Sequence, residues 1–291
     1  MDWWEYLESH PISGSNAVQD LPDVKKIAEH EWARIQDLCH LNDVTLHVDF
    51  DESVFQDLPR VLATASRTMY LINDEWQPGA LNDLNMTGSI VIKVNPNVPN
   101  GWYVYNDTNP DQSCDTGYRF DLTTVIRHEL LHGIGISSSI HKNSIGYNYA
   151  DNCYITSFDH HIKTTDNKNY LNGCSLSVTR TADAYVSGIK LYNPATFKIG
   201  SSFSHVDSSG LMYFKIPPMK CYDYDSNVFT LLNDLGAHCP EMLTNANPYT
   251  NEIPVIKVNS TVSDASSRNV NFSVYIFMFL VLKCLMTRLR I

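Results

Sequence analysis

The chain has no basic surface to speak of: 21 Lys and Arg stand against 32 Asp and Glu, for a formal net charge of −11. Phosphate recognition needs a basic face, so a nucleic-acid partner is set aside. No C-x-x-C pair occurs among the seven cysteines, which removes the usual text of a zinc knuckle or a dithiol redox site. Disulfides are the expected use instead. Cys284 lies apart in the last stretch, leaving Cys39, Cys114, Cys153, Cys174, Cys221 and Cys239 as an even set. Proximity favours Cys153 with Cys174 and Cys221 with Cys239, other connectivities staying open, and Cys39 is a weak candidate for a thiolate that could block a metal. Met1–His10 lacks both the basic and the sustained apolar parts of a secretory leader. The composition of disorder is missing too, since hydrophobic residues make up 43% and charged residues 18%.

What is present reads as an α+β protein. Residues 1–22 form an irregular lead-in, 23–250 the main folded domain, 251–270 a polar linker and 271–291 a hydrophobic tail. Helical periodicity covers Val24–Leu38, with a second helical candidate over Leu58–Ile72. Strand-like text occupies Val44–Phe50, Ser89–Val94 and Trp102–Tyr105. Asp121 is a good N-cap for a helix starting at Leu122, with Gly133 and Gly135 marking its end, and Val228–Leu235 reads as a short helix stopped by Gly236. In the tail, Phe272–Leu282 is apolar and is followed by Lys283, Arg288 and Arg290. The run is shorter than the roughly 20 residues of a spanning helix. It is read as a short membrane anchor, a lipid-anchor signal following Ala265–Ser267, or simply a buried C-terminus. Sequons at Asn85, Asn106, Asn259 and Asn271 fit a glycoprotein that is secreted or held at the cell surface.

The chemistry-bearing text is Val125–Ile136, VIRHELLHGIGI. His128 and His132 stand four apart, which on a helix stacks two imidazoles on one face within reach of one metal ion. Glu129 falls on the flank of that face, where a carboxylate can touch a water without ligating. Two histidines that merely share a helix face are the competing reading. A catalytic zinc needs three protein ligands and an open position, and the helix supplies two. Downstream, His141, Asp159, His160, His161 and His205 are candidates for the third, with Asp159 read as structural and His160 and His161 as exposed.

His128-Glu129-x-x-His132-x-x-Gly135, then a long insertion, then Gly200–Asp207 (GSSFSHVD) and Met212 in SSGLMYF, resembles the leishmanolysin-type metzincin peptidases. In the common metzincin pattern a third His lies three residues after the glycine; here that position is Ser138. The resemblance extends in weaker form from about Ile27 to Leu235, through SIVIKVNPNVPNGWYVY, IKLYNPATFKIGSSFSH and VFTLLNDLG. It implies a two-lobed catalytic domain: a twisted mixed sheet with the active-site helix, then a loop-rich C-terminal lobe with a Met-turn. It further implies His128, His132 and His205 as ligands of one catalytic Zn2+, Glu129 as general base and Met212 as the floor of the site. Tyr213 is assigned no role, its register differing by one from the metal-touching tyrosine of astacin-like relatives. The expected activity is hydrolysis of protein or peptide substrates, with the tail offering membrane attachment. A zinc hydrolase with another third ligand and an inactive surface or adhesion module are the alternatives.

Overall fold

The computed structural model describes residues 3–9, 21–72, 75–81, 86–105, 114, 117–142, 147–149, 154–172, 175–176, 182–198 and 200–239. The sequon asparagines, Cys153, Cys174, the linker and the tail all lie outside these residues. In chain order the elements are α1 (Trp3–Ser9), α2 (Val24–Leu38), β1 (Val44–Phe50), α3 (Glu52–Phe55), β2 (Ala63–Arg67), β3 (Met69–Ile72), β4 (Glu75–Pro78), β5 (Gly88–Val94), β6 (Trp102–Tyr103), β7 (Phe120–Asp121) and α4 (Leu122–Ile134). Then come β8 (Ile140–Lys142), β9 (Tyr147–Tyr149), α5 (Ser157–His160), β10 (Leu171–Asn172), β11 (Ser175–Leu176), β12 (Tyr185–Val186), β13 (Ile189–Lys190) and α6 (Ser226–Asp234). The architecture is α+β, with several small sheets.

A mixed three-stranded sheet anchors the first half, in the order β1-β5-β2, with β1 parallel and β2 antiparallel to the central strand. Alternation in β5 buries Ile90, Ile92 and Val94. Helix α2 buries Val24, Ala28, Glu31, Trp32 and Ile35, a stripe at helical spacing, and packs on β1 and on α4. Helix α4 in turn lies against β2 and β5. Gly133 is the reason it can come so close, because a Cβ there would meet the Ile90 side chain at 2.5 Å. Gly133 is therefore inside the helix, and only Gly135 caps it.

Three sequence expectations need correction. Leu58–Ile72 is not a helix: Pro59 disfavours helical backbone at Leu58, and the Asn95 amide captures the carbonyls of Pro59 and Val61 at 3.2 and 2.9 Å. The ladder with β5 then takes Ala63–Arg67 as a strand. The lead-in is not wholly irregular, since α1 occupies Trp3–Ser9 and buries Leu7 in the core. Cys221 does not pair with Cys239. Among the described residues the bridges are Cys39–Cys239 and Cys114–Cys221, for α6 stands between the two expected partners and delivers Cys239 to the end of α2. Cys39 thus has no free thiolate to block a metal. Disulfides are compatible with an extracellular location, and among the described residues no helix is long and apolar enough to cross a membrane.

Candidate metal centre

Helix α4 is buried on nearly every side, so each polar group it carries needs a partner or a purpose. Its start is fixed by Asp121, whose carboxylate accepts from Thr124 N–H, the Thr124 hydroxyl and Tyr105 N–H at 2.6–2.9 Å. From that start the helix presents His128 and His132 on one face, and from the loop region beyond β13, His205 returns to them. The three Nε2 atoms converge: 3.1 Å from His128 to His132, 3.1 Å from His128 to His205 and 3.2 Å from His132 to His205. All three rings are largely buried.

The protonation of these rings follows from their outer bonds. Each Nδ1 faces a backbone carbonyl: His128 that of Leu211 at 2.7 Å, His132 that of Ile136 at 2.6 Å and His205 that of Ser201 at 3.0 Å. A carbonyl only accepts, so each Nδ1 carries the proton and each Nε2 turns a lone pair inward. Burial lowers His128 to about 4 and His205 to about 3, and holds His132 well below the ordinary imidazole range, the neighbouring rings adding to the effect at His132 and His205. Three neutral lone pairs pointed at one another repel unless a cation lies between them. A tetrahedral zinc with Zn–N bonds of about 2.0–2.1 Å spaces its ligands about 3.3 Å apart, close to the separation found here. The cluster can therefore hold a metal ion, and its outer carbonyls are the kind of partner that fixes the tautomer of a ligating histidine.

Glu129 follows His128 and is buried with it, and desolvation raises its carboxyl to about 8. The segment carrying His205 has little regular structure and is held by specific bonds instead. Tyr192 N–H donates to His205 O at 2.7 Å, Phe203 N–H to Tyr192 O at 2.9 Å and Val206 N–H to Met212 O at 2.9 Å. The three serines of GSSFSH each accept a different donor. Ser201 O receives His205, Ser202 Oγ receives Lys198 N–H and Ser204 Oγ receives Ser138 N–H. Phe203 has a left-handed φ of +66°, an uncommon state for a bulky residue, offset by complete burial against Tyr170 and Phe197. The turn with Met212 touches both halves of the site, through Leu211 O to His128 and through Met212 O to Val206. Gly210 makes that turn feasible: its φ is +153°, and a Cβ would lie 2.8 Å from Asp225 Oδ2.

Of the other sequence candidates, Asp159 is buried and bonded to serine and threonine, His160 is exposed beside Glu75 at 3.4 Å, and neither joins the cluster. His161 does not join it either, and the side chain of His141 lies outside the described ones. Sequence reading missed Arg67, whose guanidinium donates to the carbonyl of His132 at 2.5 Å from the edge strand, and the roles of Ser138 and Ser204. No spacing rule flags these contacts, which span 65 and 66 positions. Compared with known protein families, with curated proteins and with solved structures, the chain has no match.

Proposed function

We propose that the chain is a zinc-dependent endopeptidase with a metzincin-like catalytic domain. The observation that carries this reading is the convergence of three neutral imidazoles, Nε2 to Nε2 at 3.1–3.2 Å, with a buried carboxyl one residue from the first. His128, His132 and His205 would hold a zinc ion, which when bound would polarise a peptide carbonyl and lower the pKa of a water at its open position. Glu129 is the proton carrier: with a cation held beside it the carboxyl would be ionised, so that it takes a proton from the attacking water and returns it to the leaving amine. No covalent link between enzyme and substrate is required. Among the described residues strand β2 pairs with β5 alone and packs on α4, so an extended peptide would add to its other edge. Buried Met212, on the turn that supports His128, is the hydrophobic floor. The disulfides fit an exported or cell-surface enzyme acting on protein substrates.

The test is direct. Purified protein should carry one zinc per chain and cleave casein; Glu129→Ala should end cleavage while zinc stays bound, and His205→Ala should lose the zinc. Cleavage that survives Glu129→Ala, or a chain that takes up no zinc, overturns the reading.

A further inference from the structure

We propose that Asp159 is a positioning residue for the metal centre: it fixes Ser138, and Ser138 holds the His205 segment through Ser204. The inference rests on the metal-site reading above and adds what sets the third imidazole in place.

Asp159 lies at 0% exposure in the insertion between α4 and His205. One of its oxygens, Oδ2, accepts from Thr156 N–H at 3.0 Å and the Thr156 hydroxyl at 2.8 Å, closing a capping box on α5. A cap on a four-residue helix does not call for a fully buried carboxylate. The remaining bonds show where the group is aimed. Oδ2 also accepts from Ser139 N–H at 3.1 Å and the Ser139 hydroxyl at 2.6 Å, and Oδ1 accepts from the Ser138 hydroxyl at 2.5 Å. Both serines lie on the chain leaving α4. Arg67, which bonds His132 O from the other side, is near enough for the two charges to act on each other. A buried carboxylate with this many donors is a rigid point.

From that point one link leads to the third ligand. Ser138 N–H donates to Ser204 Oγ at 3.0 Å, and Ser204 is the residue before His205. Two positions earlier, Ile136 O orients His132. The exit of α4 therefore sets both imidazoles at once, one through its own carbonyl and one through a bond across to the segment that carries His205. Position 138, where the common pattern has the ligand itself, here grips the neighbour of a ligand that arrives from elsewhere. Asp159 is what keeps that grip in register.

The experiment titrates the metal-free protein with Zn2+ against a chromophoric chelator, with circular dichroism as the check on folding. Ser204→Ala and Asp159→Asn are each expected to weaken zinc binding by roughly 10–100-fold. The double variant should lose little more than the worse single one, because both cut the same link. Thr164→Val removes comparable bonds within the insertion's own turn, from Lys168 N–H and to Asp166, and should leave zinc affinity unchanged. Folded variants that bind zinc as tightly as the parent, or losses that simply add, overturn the inference and leave the metal centre standing. Should Asp159→Asn fail to fold, Ser204→Ala decides alone, and unchanged affinity there overturns it. A parent chain that binds no zinc removes the metal-site reading itself, and this inference with it.

Discussion

Arg127 and His128 are consecutive residues of one buried helix, yet the first meets opposite charge inside the protein and the second meets a backbone carbonyl and two more imidazoles. The Arg127 guanidinium donates to both oxygens of Glu31 at 2.7 and 3.1 Å and to Tyr222 O at 3.0 Å, and Asp223 lies 3.7 Å away. Arg34 closes the group from the rim with a 2.6 Å bond to Asp223, and the Tyr224 ring lies beneath both guanidinium groups at 5.5–5.8 Å. Burial alone would lower Arg127, but the Glu31 carboxylate outweighs it and keeps the cation secure. On the neighbouring face three lone pairs converge with no cation bonded to them among the described residues. One centre is complete as the chain folds; the other could hold a metal ion. On the proposed function, the difference separates a group that holds the fold from a group that does chemistry, although α4 contributes buried polar residues to both.

The sharpest way to test that separation is Glu129→Gln. It keeps the shape of the side chain and removes only the proton carrier, so activity on casein should fall by about 10²–10⁴-fold. Metal content should not change. The metal-free protein should be no less stable, because burial already disfavours the charged form of this carboxyl. A variant that loses its fold along with its activity would place Glu129 in the structural class and erase the distinction.

Next in size is Arg127→Met. Glu31 would stay buried with only Arg34 at 3.5 Å and the His30 ring at 3.2 Å in place of its bidentate partner, which should cost about 3 kcal/mol in urea unfolding, whereas combining the change with Glu31→Leu should recover most of the loss. Zinc binding by whatever fraction stays folded should match the parent. If the double variant is as unstable as the single one, the network is more than a charge pair.

How much of this contrast the sequence revealed follows from the range of the contacts involved. His128, Glu129 and His132 are legible because helical spacing is local: one turn fixes which face they share. The α2 helix, β1, β5 and α6 are legible for the same reason, their caps and alternation lying within each segment. Glu31 and Arg127 are 96 positions apart, and nothing in either neighbourhood announces the other. The same holds for Cys39 and Cys239, 200 positions apart, and for Asn95, whose amide overrides the helical text near Pro59. His205 is an intermediate case, since a family resemblance named it while the bonds that hold it, to Ser201 and from Tyr192, left no mark in the spacing.

A smaller effect is expected from His205→Leu on the metal-free protein. Removing one of three mutually repelling lone pairs gives up a hydrogen bond to Ser201 O, a net change of about 1 kcal/mol or less in either direction. Thermal unfolding in the presence of a chelator measures it. Set beside Arg127→Met, the expectation is that the metal-free fold tolerates loss of the loop-borne imidazole from the three-histidine cluster and does not tolerate loss of the ion-paired guanidinium on α4. A destabilisation as large as that of Arg127→Met would show that the imidazoles are structural even without metal.

At neutral pH the smallest expected effect is that of Tyr224→Phe, and its signature lies at alkaline pH. Tyr224 is held well above the ordinary tyrosine value, first by burial and then by the Glu31 charge. Its folded-state pKa exceeds its unfolded one, so its contribution to stability is complete below about pH 10 and is lost as pH rises beyond it. In that range the unfolded chain gives up the phenolic proton and the folded chain keeps it, a slope of up to about 1.4 kcal/mol per pH unit for one group. Tyr154, pushed up to about 12 by burial, adds to the same limb, so Tyr224→Phe should make the loss shallower without abolishing it. At neutral pH the variant should cost under about 1 kcal/mol, because the hydroxyl reaches Glu31 O only at 3.4 Å. Urea midpoints from pH 8 to 11 decide the matter: an unchanged slope would mean that the Tyr224 phenol is not shielded by the network, and the centre that looks closed would be open to water at its rim.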